Sequence, residues 1–186
     1  MSRADAWRFL HGGITEVVAV TGGPAGDNVA PLGLIDGDDV HVRLWRGSDT
    51  LDNVRATERL TACFTRDAVV YVEGAVGDAS DRVVDGRLED ADAWIACDCE
   101  MVDVERDGDV EVWRLEAREH EVRRRRVYAV NRGFNAVVEA CVDATRLHVD
   151  PGLAEDVRAH LELARKCGGD RERRAADVLE SYVDGV

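Results

Sequence analysis

The sequence predicts a mainly β chain of the α+β class, a β-barrel of six or seven strands followed by a helical extension. Three observations predict it. Short apolar runs with a period of two recur through residues 1–128. Turn-forming pairs such as Asp36-Gly37 and Asp107-Gly108 separate several of these runs. Beyond Asn131 the apolar spacing changes to the helical i, i+3, i+4, i+7, carried by Phe134, Val137, Val138 and Cys141. At 186 residues, of which 45% are hydrophobic, the chain is long enough to bury a core without a disulfide staple.

Each element follows from its local pattern. Ile14 to Val20 (ITEVVAV) reads as a strand, and the loop Thr21 to Asp27 holds three glycines and Pro24. Val29 to Ile35 is a second strand, turned by Asp36-Gly37 into a third, in which Val40, Val42 and Leu44 alternate with His41, Arg43 and Trp45. The three form a meander. Ser48, Asp49 and Thr50 are N-cap types and Leu51 and Val54 lie three apart, so a short helix covers Ser48 to Arg55. Leu60, Ala62 and Phe64 resume the strand period. Asp67 to Val76 carries conflicting signals: Asp67 is a good cap while Val69, Val70 and Val72 favour strand, and a short helix is the expectation. Asp78 to Ala91 is polar and reads as a mobile excursion. Trp94 to Val104 and Val110 to Tyr128 are long strands paired through Asp107-Gly108. Three helices complete the chain: one after Asn131, one from Pro151 to Lys166 stopped by Gly168-Gly169, and one from Asp170 to about Tyr182. Residues 1–128 are expected to form the barrel and 129–186 a helical extension packed on it as one continuous unit.

The charge balance narrows the function classes. The chain has 38 Asp+Glu against 24 Lys+Arg, a net charge of −14, and Lys166 is its single lysine. Phosphate-backbone binding draws its affinity from clustered Lys and Arg, so neither nucleic acid nor an anionic membrane is an expected partner. So acidic and lysine-poor a composition resembles that of cytosolic proteins of extreme halophiles. Five cysteines, with no paired Cys-x-x-Cys spacing, read as reduced thiols, and no metal is expected. Cys97 and Cys99 share one face of a strand and could ligate a metal only with further soft ligands; small buried hydrophobes are the simpler reading. The N-terminus has no apolar signal core, and no uncharged apolar run is long enough to span a bilayer, so a cytoplasmic location is expected.

Gly22-Gly23-Pro24-Ala25-Gly26 fits neither dinucleotide nor P-loop spacing and has no helix after it, which makes it a hairpin loop. The scattered histidines and the absence of a nucleophile elbow leave hydrolase chemistry without an anchor. Two segments stand out together. From Arg43 to Asn53, the guanidinium groups of Arg43 and Arg46, the hydroxyls of Ser48 and Thr50 and the N–H groups of a helix start converge, as a phosphate monoester requires. Ordinary N-capping with solvated arginines is the other reading of the same residues. In the strand Asn28-Val29-Ala30-Pro31-Leu32, proline removes a ladder donor and belongs at an edge or bulge, where backbone can face a ligand. At the later helix start, Asn131 can cap while Arg132 and Asn135, one turn apart, project from the first turn. Capping plus a surface arginine is again the alternative. Arg123 to Arg126 would divide between two strand faces and is expected to pair with carboxylates.

Asn28-x-Ala30-Pro31 followed by Ser48-Asp49-Thr50-x-x-Asn53 resembles the flavin reductase-like branch of the FMN-binding split barrels. A wider match runs in order through Gly13-Ile14-x-Glu16, Ala30-Pro31-Leu32-Gly33, Arg43-Leu44, Gly47-Ser48-x-Thr50-Leu51-x-Asn53-Val54, Asp90-Ala91-Asp92-Ala93-Trp94 and Asn131-Arg132-Gly133-Phe134-Asn135. It is similar to the largely archaeal domain-of-unknown-function family 447. The resemblance implies a split barrel with a C-terminal helical extension that binds FMN noncovalently as a homodimer, with the flavin near the subunit interface. It implies Asn28, Val29, Ala30, Pro31 and Leu32 along the ring, Arg43, Arg46, Ser48, Thr50 and Asn53 around phosphate and ribityl, and Asn131, Arg132 and Asn135 closing over the flavin or its substrate. Ser48 stands where the family usually has lysine, so an arginine must supply the charge. The expected chemistry is hydride or electron transfer from a donor such as NAD(P)H, with no acid–base residue singled out. A non-catalytic flavin carrier or redox-sensing module, and a structural protein that has lost the ligand, are the alternatives.

Overall fold

A computed structural model describes residues 6–8, 10, 12–24, 26–125 and 130–184. The chain divides into two compact units: one comprises Met1–Thr65 and Ser80–Arg125, the other Arg66–Ala79 and Arg126–Val186.

The first unit is a closed, all-antiparallel barrel of six strands. β1 (Gly13–Gly23) and β2 (Gly26–Asp36) form a long hairpin, paired from Gly13↔Asp36 to Gly23↔Gly26. β3 (Val40–Trp45) follows the Asp36-Gly37 turn, and α1 (Asp49–Thr57) leads into β4 (Arg59–Phe64), which returns beside β1. β5 (Val83–Val84) and β6 (Arg87–Leu88) make a separate small hairpin. β7 (Ala93–Glu105) and β8 (Val110–Val122) then complete the barrel in the order β1-β2-β3-β8-β7-β4. Of the alternating residues, Val40, Val42, Leu44, Leu60 and Ala62 are buried in one core with Leu51 and Val54 of α1, joined by Val17, Leu34 and Ile95, and Phe64 packs partly buried against it.

Three segments of this unit differ from expectation. The loop expected over Thr21 to Asp27 is mostly strand, because β1 runs on to Gly23 and β2 starts at Gly26, with Thr21↔Asn28, Gly22↔Asp27 and Gly23↔Gly26 paired. Residues 78–91 are not a loose excursion. They hold a 3-10 turn (Ser80–Arg82) and the β5–β6 hairpin, whose Leu88 is 3% exposed and donates its N–H to the Cys63 sulfur at 3.5 Å. β8 stops at Val122 rather than continuing to Tyr128, because the N–H groups of Arg123 and Arg124 both turn to the Asp92 carbonyl at 2.9 Å. Arg123 also meets Glu121, and Arg124 meets Asp90 and Asp92, as their expected pairing with carboxylates requires. Residues 126–128 of the predicted strand lie outside the described residues.

The second unit is helical. α2 (Ala68–Val76) is capped by Asp67, whose carboxylate accepts from the Val69 N–H at 3.1 Å and pairs with Arg171. α3 (Arg132–Ala144) packs Phe134 edge-on against Tyr71, with ring centroids 5.5 Å apart. α4 (Ala154–Cys167) begins after a 3-10 turn at Pro151–Leu153 capped by Asp150, so the predicted helix start is that turn. α5 (Asp170–Val183) lies against α4 through Arg165, which binds Asp177 and Glu180.

Candidate functional site

The opening that positions the site follows from the strand register. β2 pairs with β1 along its whole length but with β3 only at Ile35 and Asp36. From Asn28 to Leu34 its other edge therefore carries no strand among the described residues. Pro31, opposite Val18 of β1, lies in this segment, where a missing N–H breaks no ladder on the open side. Ala30, Pro31 and Leu32 are half-buried and Val29 is buried.

α1 begins beside this edge. Gly47, at φ +84°, turns the chain out of β3 in a conformation that other residues adopt only with strain. Ser48 caps the helix: its hydroxyl accepts from the Leu51 N–H at 3.2 Å and donates to the Trp45 carbonyl at 2.8 Å. The two sequence segments meet through one bond, from Asn28 Nδ2 to Thr50 Oγ1 at 2.8 Å, with Thr50 itself buried.

The remaining residues of the set divide. Asn53 is fully buried and donates to the Gly26 carbonyl at 2.8 Å and the Thr21 carbonyl at 3.3 Å, so its amide serves the β1–β2 hairpin. Arg43 points outward and forms a two-pronged pair with Glu105 at 2.9 and 3.1 Å, so contact with a phosphate requires that pair to open. Arg46 is exposed near Gly108. Asp49 and Asp52 occupy the first turn of α1; they favour the helix dipole and oppose a second anion there. Asn131, Arg132 and Asn135 belong to the helical unit. Asn131 caps α3 by accepting from Gly133 and Phe134 at 2.9 and 3.2 Å and reaches Glu172, while Arg132 and Asn135 are exposed.

Sequence reasoning missed Glu105 as the partner of Arg43 and the buried Glu111 with Arg55. Across the sheet the rows run Arg43–Val112–Asp103 and Trp45–Val110–Glu105, so Arg43 reaches Glu105 diagonally, and strand register alone would have paired it with Asp103. An open cleft of about 360 Å³ lies at the other end of α1, lined by Thr21, Thr57, Arg59 and Thr61 among others. Burial pushes the thiols of Cys63, Cys99 and Cys141 up to about 11, 12 and 12, and Cys97 well above its ordinary value, as small core side chains would show. Among the described residues no group of three or more His, Cys, Asp or Glu could hold a metal, and no helix is long and apolar enough to cross a membrane.

An FMN-bound protein from Methanosarcina mazei, of the family described as protein of unknown function (DUF447), superposes with a TM-score of 0.82 at 31% identity, covering 92% of this chain and 96% of that one. The 2-nitrobenzoate 2-nitroreductase of Pseudomonas fluorescens (TM-score 0.47, 13% identity, 66% of this chain and 73% of that one) is more distant. So is nitrilotriacetate monooxygenase component B of Bacillus cereus (TM-score 0.44, 12% identity, 66% and 78%). Residues 15–126 match the N-terminal domain of the DUF447 family and residues 131–181 match its C-terminal part, so the chain belongs to that family.

Proposed function

We propose that this protein is an intracellular FMN-binding flavoprotein, a homodimer with flavin near the subunit interface, transferring hydride or electrons between a donor such as NAD(P)H and the flavin. The observation that carries the reading is the FMN-bound family member, similar to this chain over nearly its whole length. The residues of the barrel fit the ligand's polar and planar parts. The strand-free edge of β2 offers backbone from Asn28 to Leu32 to a flat ring, and Pro31 keeps that edge from acquiring a neighbour. Thr50 and Asn28 bring a hydroxyl and an amide to the same spot, and the capped start of α1 adds N–H donors for ribityl and phosphate oxygens. Since Asp49 and Asp52 oppose an anion there, Arg46, or Arg43 released from Glu105, supplies the balancing charge. Arg132 and Asn135 are assigned to substrate closure. When bound, the flavin supplies the redox chemistry, and these side chains hold and orient it.

Purified protein in molar KCl is expected to quench added FMN fluorescence saturably and to turn yellow; a colourless protein that leaves FMN fluorescence unchanged refutes the proposal. Steady-state NAD(P)H oxidation with FMN present separates a reductase from a carrier.

A further inference from the structure

We infer that Asn53 is a positioning residue, latching the β1–β2 hairpin to α1 from inside the protein and thereby fixing how Asn28 meets Thr50. This rests on the flavin reading above and changes the role of one residue in it: Asn53 shapes the cradle without touching the ligand. Three observations carry the inference. The side chain has no exposed surface, so a bound molecule cannot reach it without displacing the hairpin. Its amide nitrogen serves both strands of that hairpin, bonding Thr21 of β1 and Gly26 of β2. The hairpin backbone also comes so close that a Cβ on Gly23 would lie 2.7 Å from Asn53 Oδ1 and 3.1 Å from its Cα, nearer than such atoms settle.

The geometry transmits directly. Gly26 is two residues before Asn28 on β2, and Thr50 is one helical turn before Asn53 on α1, so the latch and the Asn28–Thr50 bond are adjacent rungs between the same two elements. Only a side chain with an N–H donor can serve the two carbonyls. A carboxylate of the same shape would set oxygen against oxygen, and the hairpin would move away from the helix.

Two variants test this from opposite sides. Asn53→Asp removes the donors while keeping the shape, and Gly23→Ala presses a methyl group into the same contact from the hairpin. Each is titrated with FMN by fluorescence quenching well below its own melting midpoint, beside the wild type, and the visible absorbance of the bound flavin is recorded. The expected result is FMN binding weakened about tenfold in both variants, a loss of one hydrogen-bond equivalent in affinity, with altered flavin bands. A folded variant with wild-type affinity and an unchanged spectrum overturns the inference, because a residue that served stability alone would lower only the melting temperature. If Asn53→Asp does not fold, Gly23→Ala decides. If neither folds, the latch is purely structural and the inference fails. A wild-type protein that does not quench FMN refutes the flavin reading itself, in an arm that contains no variant.

Discussion

Glu111 is 8% exposed, and its carboxylate is held by the Arg55 guanidinium, with the Trp113 indole N–H donating at 3.2 Å. Arg55 first, and Trp113 after it, hold the Glu111 carboxyl below its ordinary value of 4.5 against the opposing effect of burial. The folded chain therefore takes up this proton at lower pH than the unfolded chain does. The stabilisation is fully present above the ordinary carboxylate range and is lost as pH falls through the depressed folded value. Glu111→Gln is expected to lower stability by about 1–2 kcal/mol at pH 7, the modest end for a charged hydrogen bond because Arg55 is 41% exposed. Urea unfolding at pH 7 and near pH 3 checks it: the gap from wild type should shrink on the acid side, and a gap of equal size at both excludes the pair as its source. The same scale shows what the sequence could disclose. Ser48 was legible as a cap because capping is decided within three residues. Arg43 was legible as a donor, but its partner Glu105 lies 62 positions away, and the complete burial of Asn53, which the family resemblance sets beside ribityl and phosphate, is not a local property.

At the scale of elements, local preference and packing disagree most clearly in α2. Its valines each lose a few tenths of a kcal/mol in helix propensity, which is why the segment carried a strand signal. Capping by Asp67 contributes about 1 kcal/mol, and burying Val69, Val70, Tyr71 and Val72 contributes roughly 1.5–3 kcal/mol each, so packing outweighs propensity. The β5–β6 hairpin was illegible for the complementary reason: its polar composition hides the contacts that order it, Leu88 on Cys63 and Arg87 over the Trp94 ring. The barrel strands could be read because their period repeats, whereas the strand-free edge of β2 could be approached only through Pro31. Gly133 gives this scale its prediction. Glycine to alanine inside a helix ordinarily gains up to about 1 kcal/mol. Here the new Cβ would stand 2.4 Å from both the nitrogen and the Cα of Gly168, backbone that cannot rotate away. Overpacking of that kind costs about 1–3 kcal/mol, so the clash wins. Gly133→Ala should lower the melting temperature, and an unchanged or raised value would mean that α3 and the α4–α5 turn separate freely.

For the whole molecule, the excess of 14 negative charges sets two salt effects of opposite sign against each other. Exposed ion pairs such as Arg114–Glu100 and Arg124–Asp90 contribute little to stability, and salt weakens them further. The repulsion among uncompensated carboxylates is longer in range and sums over the surface. At 0.1 M salt the screening length of about 10 Å leaves neighbouring carboxylates in contact with one another's fields, whereas the 3 Å of 1 M salt leaves only direct pairs. Relief of the summed repulsion therefore exceeds the loss of the pairs, and the melting temperature should rise between dilute buffer and molar KCl. Screening predicts a particular shape as well as a sign. Most of the rise falls below about 1 M, where the screening length is shrinking fastest, and chloride and sulfate at equal ionic strength act alike there. A rise that continues linearly beyond that range and is steeper in sulfate belongs instead to salt exclusion from apolar surface. A midpoint that stays flat or falls would show that the ion pairs outweigh the net charge, and the acidic surface would then have no part in the stability of this fold.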